Sequence, residues 1–448
     1  MKYKIISMMN WERLLTSKRF GMEQFHDDTQ ERSDFQRDYD RMIFSSPFRR
    51  LQNKTQVFPL PGSIFVHNRL THSIEVSSVG RSLGDIVGNE LRARYPESKA
   101  PFAHIGSIVS AGCLAHDLGN PPFGHSGETA ISSYFSEGNG AYLKEKVLDE
   151  GGRWEDFINF EGNANSIRLL IHQFKGRRRG GFVLTYSTLA SIAKYPYSAV
   201  GAKGKFGFFQ AEEEDFKTIA DDLGMIRLCD DPLRYCRHPL VYLVEAADDI
   251  CYKIMDIEDA HKLGILSKDE VFDLFLNFFT EEKQQKKLYY IDNFVSDTNE
   301  QIAYLRSSVI GVLINQCVRT FMENEQKILA GEFDGALVKH IAPMQNAAYK
   351  RCTEVSVKRI YKAKDVVDIE LAGHRIIGFL LDTLIKAIET PNAQYSKLIL
   401  SRIPEQYEFD SPLLYERILA VLDFVSGMTD VYALDLYRKI TGMSLPTV

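Results

Sequence analysis

Apolar residues recur every three or four positions through most of the chain, a spacing that predicts helices. The clearest stretch comprises Val76, Val79, Leu83, Ile86 and Val87. The segments 360–388 and 413–436 show the same spacing. Strand signals are few: the segment 56–66 (QVFPLPGSIFV) predicts at most a short β-hairpin, because Pro and Gly separate two apolar runs. The pattern therefore predicts an all-α protein.

The helical pattern pauses at three places. Glycine and basic residues cluster between 171 and 211, which predicts surface loops, and the acidic run 212–215 is typical of an exposed turn or helix face. A pause near 265–300 predicts a boundary between an N-terminal core, residues 1–270, and a C-terminal helical region, residues 271–448, packed on it. No flexible linker separates the two, so we do not expect them to move independently.

Composition narrows the class of protein. The 448 residues are 44% hydrophobic and 25% charged, which suffices to bury a core. The net charge of −6 argues against a general nucleic-acid binder. The six cysteines lack C-x-x-C spacing, so we expect them to be reduced and mostly buried. Because neither a signal peptide nor a long uncharged apolar run is evident, we expect a cytoplasmic protein with no membrane partner.

The most informative segment is 107–128, SIVSAGCLAHDLGNPPFGHSGE. An apolar helix predicted to run through Ala115 brings His116 and Asp117 to its C-terminal end, where Gly119 and two prolines stop it. An imidazole beside a carboxylate suits a divalent metal ion. An HD dipeptide alone is weak evidence, because it arises often by chance.

Two further segments supply candidate ligands for the same ion. His72, in NRLTHSIEV, lies at the start of a predicted amphipathic helix. Asp248, Tyr252 and Asp256 fall at i, i+4 and i+8 of a later predicted helix and share its buried face. A buried carboxylate is costly unless it is paired or binds a metal. Asp248 alone fits a buried ion pair or a cap equally well, whereas with His72 and the HD pair metal ligation is the better explanation.

The H…HD…D arrangement resembles the HD-domain phosphohydrolases, and within that superfamily the chain resembles the dGTP triphosphohydrolase (dGTPase) family. The blocks that carry the resemblance are RSDFQRDYDRMIFSSPFRRLQNKTQVFPL (32–60), NRLTHSIEV, AHDLGNPPFGHSGE, FEGNANSIR (160–168), LTYSTLASIAKYPY (184–197), EAADDICYKIMDIEDA and DFVSGMTDVYALDLY (423–437). One departure is Asn165, where family members often carry Gln. The resemblance implies an HD-domain helical core, with the motif region at about 67–256, and a C-terminal helical extension.

The resemblance also implies a metal site and a catalytic pair. Four residues would bind one divalent ion: His72, His116, Asp117 and Asp248. Their mixed nitrogen and oxygen ligands favour Mn²⁺ or Mg²⁺, with Fe, Zn or Ni as alternatives. His125 and Glu128 lie three residues apart on a new predicted helix, so Glu128 can accept a hydrogen bond from the imidazole. By resemblance His125 is the general acid for the departing 5′-oxygen; the alternative is a structural hydrogen bond at a helix start.

Nine further residues are implied to contact the substrate: Gln56, Arg69, Asn163, Lys194, Tyr195, Lys205, Tyr252, Asp256 and Glu370. The basic members would meet the polyphosphate, whose charge demands cations beyond the metal. Gln56 would read the sugar 3′-hydroxyl, and Tyr252, stacked on the sugar ring, would exclude a 2′-hydroxyl. Asp256 would complete the sugar contact, and Glu370 would lie near the base. Taken singly, each lysine is more often a solvated surface charge.

The function implied by the resemblance is hydrolysis of a deoxynucleoside triphosphate (dNTP), with dGTP as the first candidate. Water would attack the α-phosphorus and release deoxynucleoside and inorganic triphosphate. Two alternatives stay open: an HD phosphohydrolase acting on another nucleotide, and a regulator that binds nucleotides or single-stranded DNA around a non-catalytic metal site. A homo-oligomer is expected by resemblance. The basic loop 175–179 (KGRRR) is a candidate surface for a nucleotide or single-stranded DNA effector.

Overall fold

A computed structural model of the chain describes residues 8–24, 31–60, 66–202 and 204–444. Over these residues the chain forms twenty-one α-helices, a few short 3₁₀ turns, one π-helical turn and a single two-stranded sheet. The predicted all-α class is confirmed. Among the described residues, no helix is both long and apolar enough to cross a membrane.

Eleven helices precede the sheet: α1 (Trp11–Leu14), α2 (Asp34–Ile43), α3 (Ser46–Arg50), α4 (Arg69–Arg94), α5 (Ile105–Ala115), α6 (His125–Ser136), α7 (Lys144–Asp149), α8 (Glu155–Ile158), α9 (Gly162–Ile171), α10 (Tyr186–Ile192) and α11 (Glu213–Asp222). Ten follow it: α12 (Val241–Lys262), α13 (Lys268–Leu276), α14 (Glu281–Phe294), α15 (Thr298–Glu323), α16 (Glu325–Leu329), α17 (Pro343–Val355), α18 (Lys364–Glu389), α19 (Gln394–Leu400), α20 (Leu414–Ser426) and α21 (Asp430–Ile440). The π-helical turn, Ser356–Ile360, lies between α17 and α18.

The sheet is not at the predicted hairpin. Strand β1 (Arg227–Asp230) pairs antiparallel with β2 (Leu233–Tyr235) across an Asp-Pro turn. Aspartate and proline are both favoured in turns, so the sequence does carry a signal for this second hairpin. Of the predicted hairpin, residues 61–65 lie outside the described part of the chain, and 56–60 form no strand.

Helix α4 is the scaffold for the site. It begins at a capping box, in which the Asn68 side chain accepts from the Thr71 amide and the Thr71 hydroxyl accepts from the Asn68 amide. It packs against α5 and α12. The approach to α5 is close because Gly84 faces Gly106, where a Cβ on Gly84 would lie 2.7 Å from the Gly106 Cα. Of the predicted apolar positions, Val76, Leu83 and Val87 are fully inaccessible, Val79 is buried and Ile86 is partly buried.

Two groups of buried side chains fill the interior. One surrounds α4, α5, α12 and α15, and the other joins α6 and α8 to α18 and α20. Residues beyond 271 contribute to both, for example Phe321 to the first and Leu380 to the second. The domain boundary near residue 270 stays a prediction.

The acidic run 212–215 is not uniformly exposed. Glu212 is 1% exposed and forms an ion pair with Arg168, which is itself buried and holds Asp423 through two hydrogen bonds of 2.8 Å. The prediction of an exposed face was wrong for Glu212. Its buried partner lies 44 residues away, so the run itself carried no sign of it.

Candidate active site

A cavity of about 360 Å³ opens where the start of α4, the end of α5, the start of α6 and the middle of α12 come together. Twelve of the predicted site residues line it: Gln56, Arg69, His116, Asp117, His125, Glu128, Asn163, Lys194, Tyr195, Lys205, Asp248 and Tyr252. His72 lies directly behind the lining, with its Nε2 3.1 Å from the Asp248 Oδ1. The structure therefore gathers most of the predicted set in one place.

The four predicted metal ligands meet at the base of this cavity. Ligand atoms of His72, His116 and Asp117 lie within 4.8 Å of one another, close enough to hold one metal ion. Asp248 adds its Oδ1 at 3.6 Å from the His116 Nε2. We call these four residues the His/Asp cluster. They come from the first turn of α4, the C-terminal end of α5 and the middle of α12, which explains why distant segments form one site.

The His116 imidazole fits a metal ligand. Its Nδ1 lies 2.6 Å from the Cys113 carbonyl oxygen, so Nδ1 carries a proton and Nε2 is the ring atom directed at the cluster. That Nε2 is buried and has no hydrogen-bond partner among the described residues, although carboxylate oxygens of Asp117 and Asp248 lie 3.6 Å away. A lone pair at Nε2 facing two carboxylates is unfavourable, so either a proton or a metal cation belongs between these groups. A divalent ion bound by all three groups satisfies this requirement.

Opposite charges within the cluster shift the pKa values of its members. Burial lowers the pKa of His116, but the carboxylates of Asp117 and Asp248 outweigh it and raise the value to about 9. Burial raises the pKa of Asp117, yet the Arg69 guanidinium and the His116 imidazole hold it at about 2. The two imidazoles likewise hold the pKa of Asp248 well below its usual range against burial. Both carboxylates are therefore ionised and attract a cation.

Asp117 is fixed by two side chains besides the histidines. The Arg69 Nη1 donates to its Oδ2 at 2.6 Å, and the Asn120 Nδ2 donates to its Oδ1 at 2.5 Å. Such outer hydrogen bonds orient a ligating carboxylate. Asn120 was not among the predicted site residues, although it stands only three positions after Asp117 in the same motif.

His125 and Glu128 form the expected pair. The His125 Nδ1 lies 2.7 Å from the Glu128 Oε2, and the Glu128 Oε1 accepts the Gly162 amide at 2.8 Å. The hydrogen bond to Glu128 raises the pKa of His125. Glu128 is 7% exposed, whereas the His125 side chain is 78% exposed at the cavity. The buried carboxylate thus orients an accessible imidazole.

The chain reaches His125 through a tight turn, residues 116–124, which we call the HD turn. Phe123 and Gly124 both have left-handed backbone, with φ of 62° and 59°. At Gly124 a Cβ would lie 2.4 Å from the Arg69 Nη2, so a side chain there would displace the arginine that holds Asp117. The turn therefore couples the position of the cluster to that of His125.

The predicted lysines are held by carboxylates that we did not predict. The Lys205 Nζ lies 2.6 Å from the Glu161 Oε2, and the Lys194 Nζ lies 3.2 Å from the Glu245 Oε1. Glu161 and Glu245 are 2% and 8% exposed, so they anchor the lysines from beneath. Glu161 also accepts a hydrogen bond from Asn163. Both acids stand within the quoted blocks FEGNANSIR and EAADDICYKIMDIEDA and could have been found there.

Tyr252 lies in a small aromatic group at the cavity wall. Its ring stacks on Tyr361, with centroids 5.9 Å apart and planes 24° apart. The Tyr361 hydroxyl donates to the Asp256 Oδ2 at 2.7 Å and accepts from the Lys253 Nζ at 3.0 Å. Asp256 is buried, which raises its pKa to about 7, and it does not line the cavity. Lys253 and Tyr361 were not predicted.

Glu370 also lies outside the cavity lining. Its side chain is exposed on α18. Its backbone carbonyl accepts a hydrogen bond of 2.7 Å from the hydroxyl of Ser126, the residue that follows His125. The substrate roles of Glu370 and Asp256 stay predictions.

Asn165, the departure from the family pattern, is buried behind the cavity. Its Nδ2 donates to the Gly119 carbonyl at 2.7 Å and to the Ser426 hydroxyl at 3.0 Å. The side chain supports the HD turn and is not part of the cavity lining.

An all-helical fold with an H…HD…D cluster in its cavity defines the class of HD-type phosphohydrolases. Residues 340–439 match the family model of a phosphohydrolase-associated domain. Deoxyguanosinetriphosphate triphosphohydrolase-like proteins of Synechocystis sp. and Pseudomonas aeruginosa are 37% and 38% identical to this chain, over 98% of it and 100% of their own length. The deoxyguanosinetriphosphate triphosphohydrolase of Yersinia enterocolitica is 30% identical over 91% of this chain and 93% of its own.

The chain belongs to the deoxyguanosinetriphosphate triphosphohydrolase family and is a hydrolase. The resemblance noted in the sequence is thereby confirmed.

Proposed function

We propose that the chain is a metal-dependent dNTP triphosphohydrolase, with dGTP as its first candidate substrate. Water attacks the α-phosphorus, and the products are deoxynucleoside and inorganic triphosphate. The observation that carries the proposal is the meeting of two imidazoles and two carboxylates in one cavity with the His125–Glu128 pair. The names of the relatives support dGTP as the substrate.

The four residues of the His/Asp cluster would hold the divalent ion, and Mn²⁺ or Mg²⁺ suits their nitrogen and oxygen donors. When bound, such an ion lowers the pKa of water and polarises a phosphate oxygen. Arg69, Lys194 and Lys205 line the same cavity and bind the polyphosphate by charge. Their buried partners Asp117, Glu245 and Glu161 hold them in place before substrate arrives.

His125 supplies the proton for the leaving 5′-oxygen. Its Nδ1 is committed to Glu128, so Nε2 is the atom that reaches the substrate. Because Glu128 raises the pKa of the imidazole, a larger share of it is protonated near neutral pH, as a general acid requires. Tyr252 at the cavity wall packs against the sugar and excludes a 2′-hydroxyl, while Gln56 meets the 3′-hydroxyl.

The decisive experiment incubates the purified protein with each of the four dNTPs and Mn²⁺ or Mg²⁺, then assays nucleoside and inorganic triphosphate. We expect the two products in equal amounts, loss of both with a chelator, and loss of both in Asp248→Asn. Release of phosphate or pyrophosphate from a dNTP, or hydrolysis of monophosphates alone, would favour an HD phosphohydrolase of another type. Metal binding without any turnover would favour the regulator.

The remaining finer assignments stay predictions. These are the cytoplasmic location, the homo-oligomer and an effector at the loop 175–179. An intact set of four ligands beside an intact His125–Glu128 pair argues against a purely regulatory role, since a non-catalytic site has no need of the second pair.

A further inference from the structure

The C-terminal block 423–437 lies outside the cavity, yet it touches the HD turn from behind. Lys54 makes the first link. Its side chain is 2% exposed, and its Nζ donates to the Asn120 carbonyl at 2.6 Å and to the Ser426 carbonyl at 2.8 Å. Asn120 is the residue whose side chain donates to Asp117. A buried lysine amino group therefore fixes the backbone of the residue that orients a predicted ligand.

Asp430 makes the second link, at the other end of the same turn. Its Oδ1 accepts the Phe123 amide at 2.9 Å and its Oδ2 accepts the Thr55 amide at 2.7 Å. Asp430 is 5% exposed. Phe123 has left-handed backbone and stands two residues before His125. One buried carboxylate thus ties the strained part of the turn to the segment that also carries Lys54.

Neither link is a contact with substrate. Neither Lys54 nor Asp430 lines the cavity. Removing either one leaves buried backbone groups without partners: carbonyls in the first case and amides in the second. Without Lys54 the turn would relax at Asn120, which orients Asp117. Without Asp430 it would relax at Phe123, which precedes His125.

We propose that Lys54 and Asp430 are positioning residues: Lys54 acts through Asn120 on the metal ligand Asp117, and Asp430 acts through Phe123 on His125. The role of His125 rests on the proposed reaction, whereas the effect of Lys54 rests on the proposed metal site alone and is measured without turnover. The proposal gives the C-terminal block, far from the cluster in sequence, a positioning role behind the site.

The first experiment measures Mn²⁺ affinity by electron paramagnetic resonance of free Mn²⁺, which requires no turnover. In Lys54→Met we expect affinity to fall about 10-fold or more, the range typical for loss of outer support to a ligand. The matched control is Lys397→Met, an exposed lysine on α19, which should bind as the wild type does. Unchanged affinity in a folded Lys54→Met protein would overturn the role of Lys54. If Lys54→Met does not fold, Lys54→Gln replaces it with the same criterion, because its shorter side chain withdraws the donor from the two carbonyls.

The second experiment concerns Asp430→Asn, which retains one acceptor oxygen but turns an amide toward one of the two N–H donors. We expect kcat to fall about 10-fold or more, with Mn²⁺ affinity and KM within about two-fold of wild type, because misplacing a catalytic group affects the transition state most. The control on the same helix is Asp435→Asn, which removes an outer ion pair with Lys439. A wild-type kcat, or equal losses in Mn²⁺ affinity and kcat, would overturn the role of Asp430. If the wild type itself releases no triphosphate, the proposed function is wrong. The Mn²⁺ affinity of Lys54→Met still tests the role of Lys54 in that case.

Discussion

At the scale of single residues, His125 has one ring nitrogen bound to Glu128 and the other without a partner among the described residues. Replacing it with alanine removes a proton donor while leaving the His/Asp cluster intact. We therefore expect His125→Ala to lower kcat by about 10²- to 10⁴-fold, the usual contribution of a general acid, and to leave Mn²⁺ affinity unchanged. Steady-state kinetics together with Mn²⁺ titration test both parts.

The exposed His340, remote from the cavity, provides the control, since His340→Ala should keep wild-type turnover. Glu128→Gln adds a pH test. The carboxylate raises the pKa of His125, so its loss should move the alkaline limb of the kcat profile to lower pH. An unshifted limb, or near-normal turnover in His125→Ala, would contradict the assignment.

Tyr252 is expected to select the sugar by steric exclusion. Tyr252→Ala removes the ring beside the cavity and should raise kcat/KM for GTP relative to dGTP. Since the discrimination comes from a clash, most of the change should appear with the ribonucleotide. Parallel kinetics with both nucleotides measure it, and the exposed Tyr395 on α19 provides a control variant, Tyr395→Ala. The same ratio of kcat/KM values in wild type and Tyr252→Ala would rule the role out.

At the scale of helices and turns, the HD turn packs backbone to backbone on α9. A Cβ on Gly119 would lie 2.2 Å from both the Gly162 carbonyl oxygen and the Ser166 amide nitrogen. Neither neighbour is a flexible side chain, so the backbone itself would have to move. We expect Gly119→Ala to lower the free energy of unfolding by about 1–3 kcal/mol, as overpacking does.

Gly311, within α15, gives the matched control, because a Cβ added there would meet open space, with no neighbouring element of the described chain within 4 Å. There the same change should leave stability unchanged or raise it by about 0.5–1 kcal/mol, since alanine favours the helix. Chemical denaturation of both variants measures the difference. If the two variants had equal free energies of unfolding, α9 would have moved to accommodate the extra methyl group at no cost, and the prediction would be wrong.

The sequence was sufficient to predict those site residues whose positions follow from the helical repeat. Asp248 and Tyr252, four residues apart, both line the cavity from α12, whereas Asp256, one turn further on, does not. His72 lies on the first turn of α4 beside Asp248. The sequence was insufficient for Lys54 and Asp430, whose partners are mostly backbone groups dozens to hundreds of residues away. Backbone carbonyls and amides occur at almost every position, so no residue type marks them as partners in advance.

At the scale of the whole molecule, one buried carboxyl joins the two halves of the chain. The Asp156 Oδ2, on α8, accepts the Gln210 amide at 2.8 Å and the Tyr415 hydroxyl of α20 at 2.5 Å. Its Oδ1 is buried without a partner among the described residues. Burial raises the pKa of Asp156 to about 7 from an ordinary value of 3.8.

A raised pKa for an acid means that the folded protein binds a proton which the unfolded chain has already released. The contribution to stability is complete below about pH 4 and is lost as the pH rises to about 7. It amounts to roughly 4 kcal/mol at most, for about three pKa units. Asp156→Asn keeps a neutral acceptor, so its free energy of unfolding should fall less between pH 4 and 8 than that of the wild type.

Urea denaturation across that range measures the two curves, with the exposed Asp149→Asn as control. Parallel curves for wild type and Asp156→Asn would show that Asp156 is ionised throughout.

The tie between Thr55 and Asp430 spans 375 residues of sequence, and it closes directly behind the HD turn. Contacts of such separation carry a loop-closure entropy that contacts within a helix do not, so we expect this tie to form after the helices. Helices such as α4 and α5 can therefore assemble while the turn between Asn120 and Phe123 still lacks its anchors. During refolding we therefore expect a compact helical state that does not yet hydrolyse substrate. Hydrolytic activity should return only when the last long-range contacts have formed.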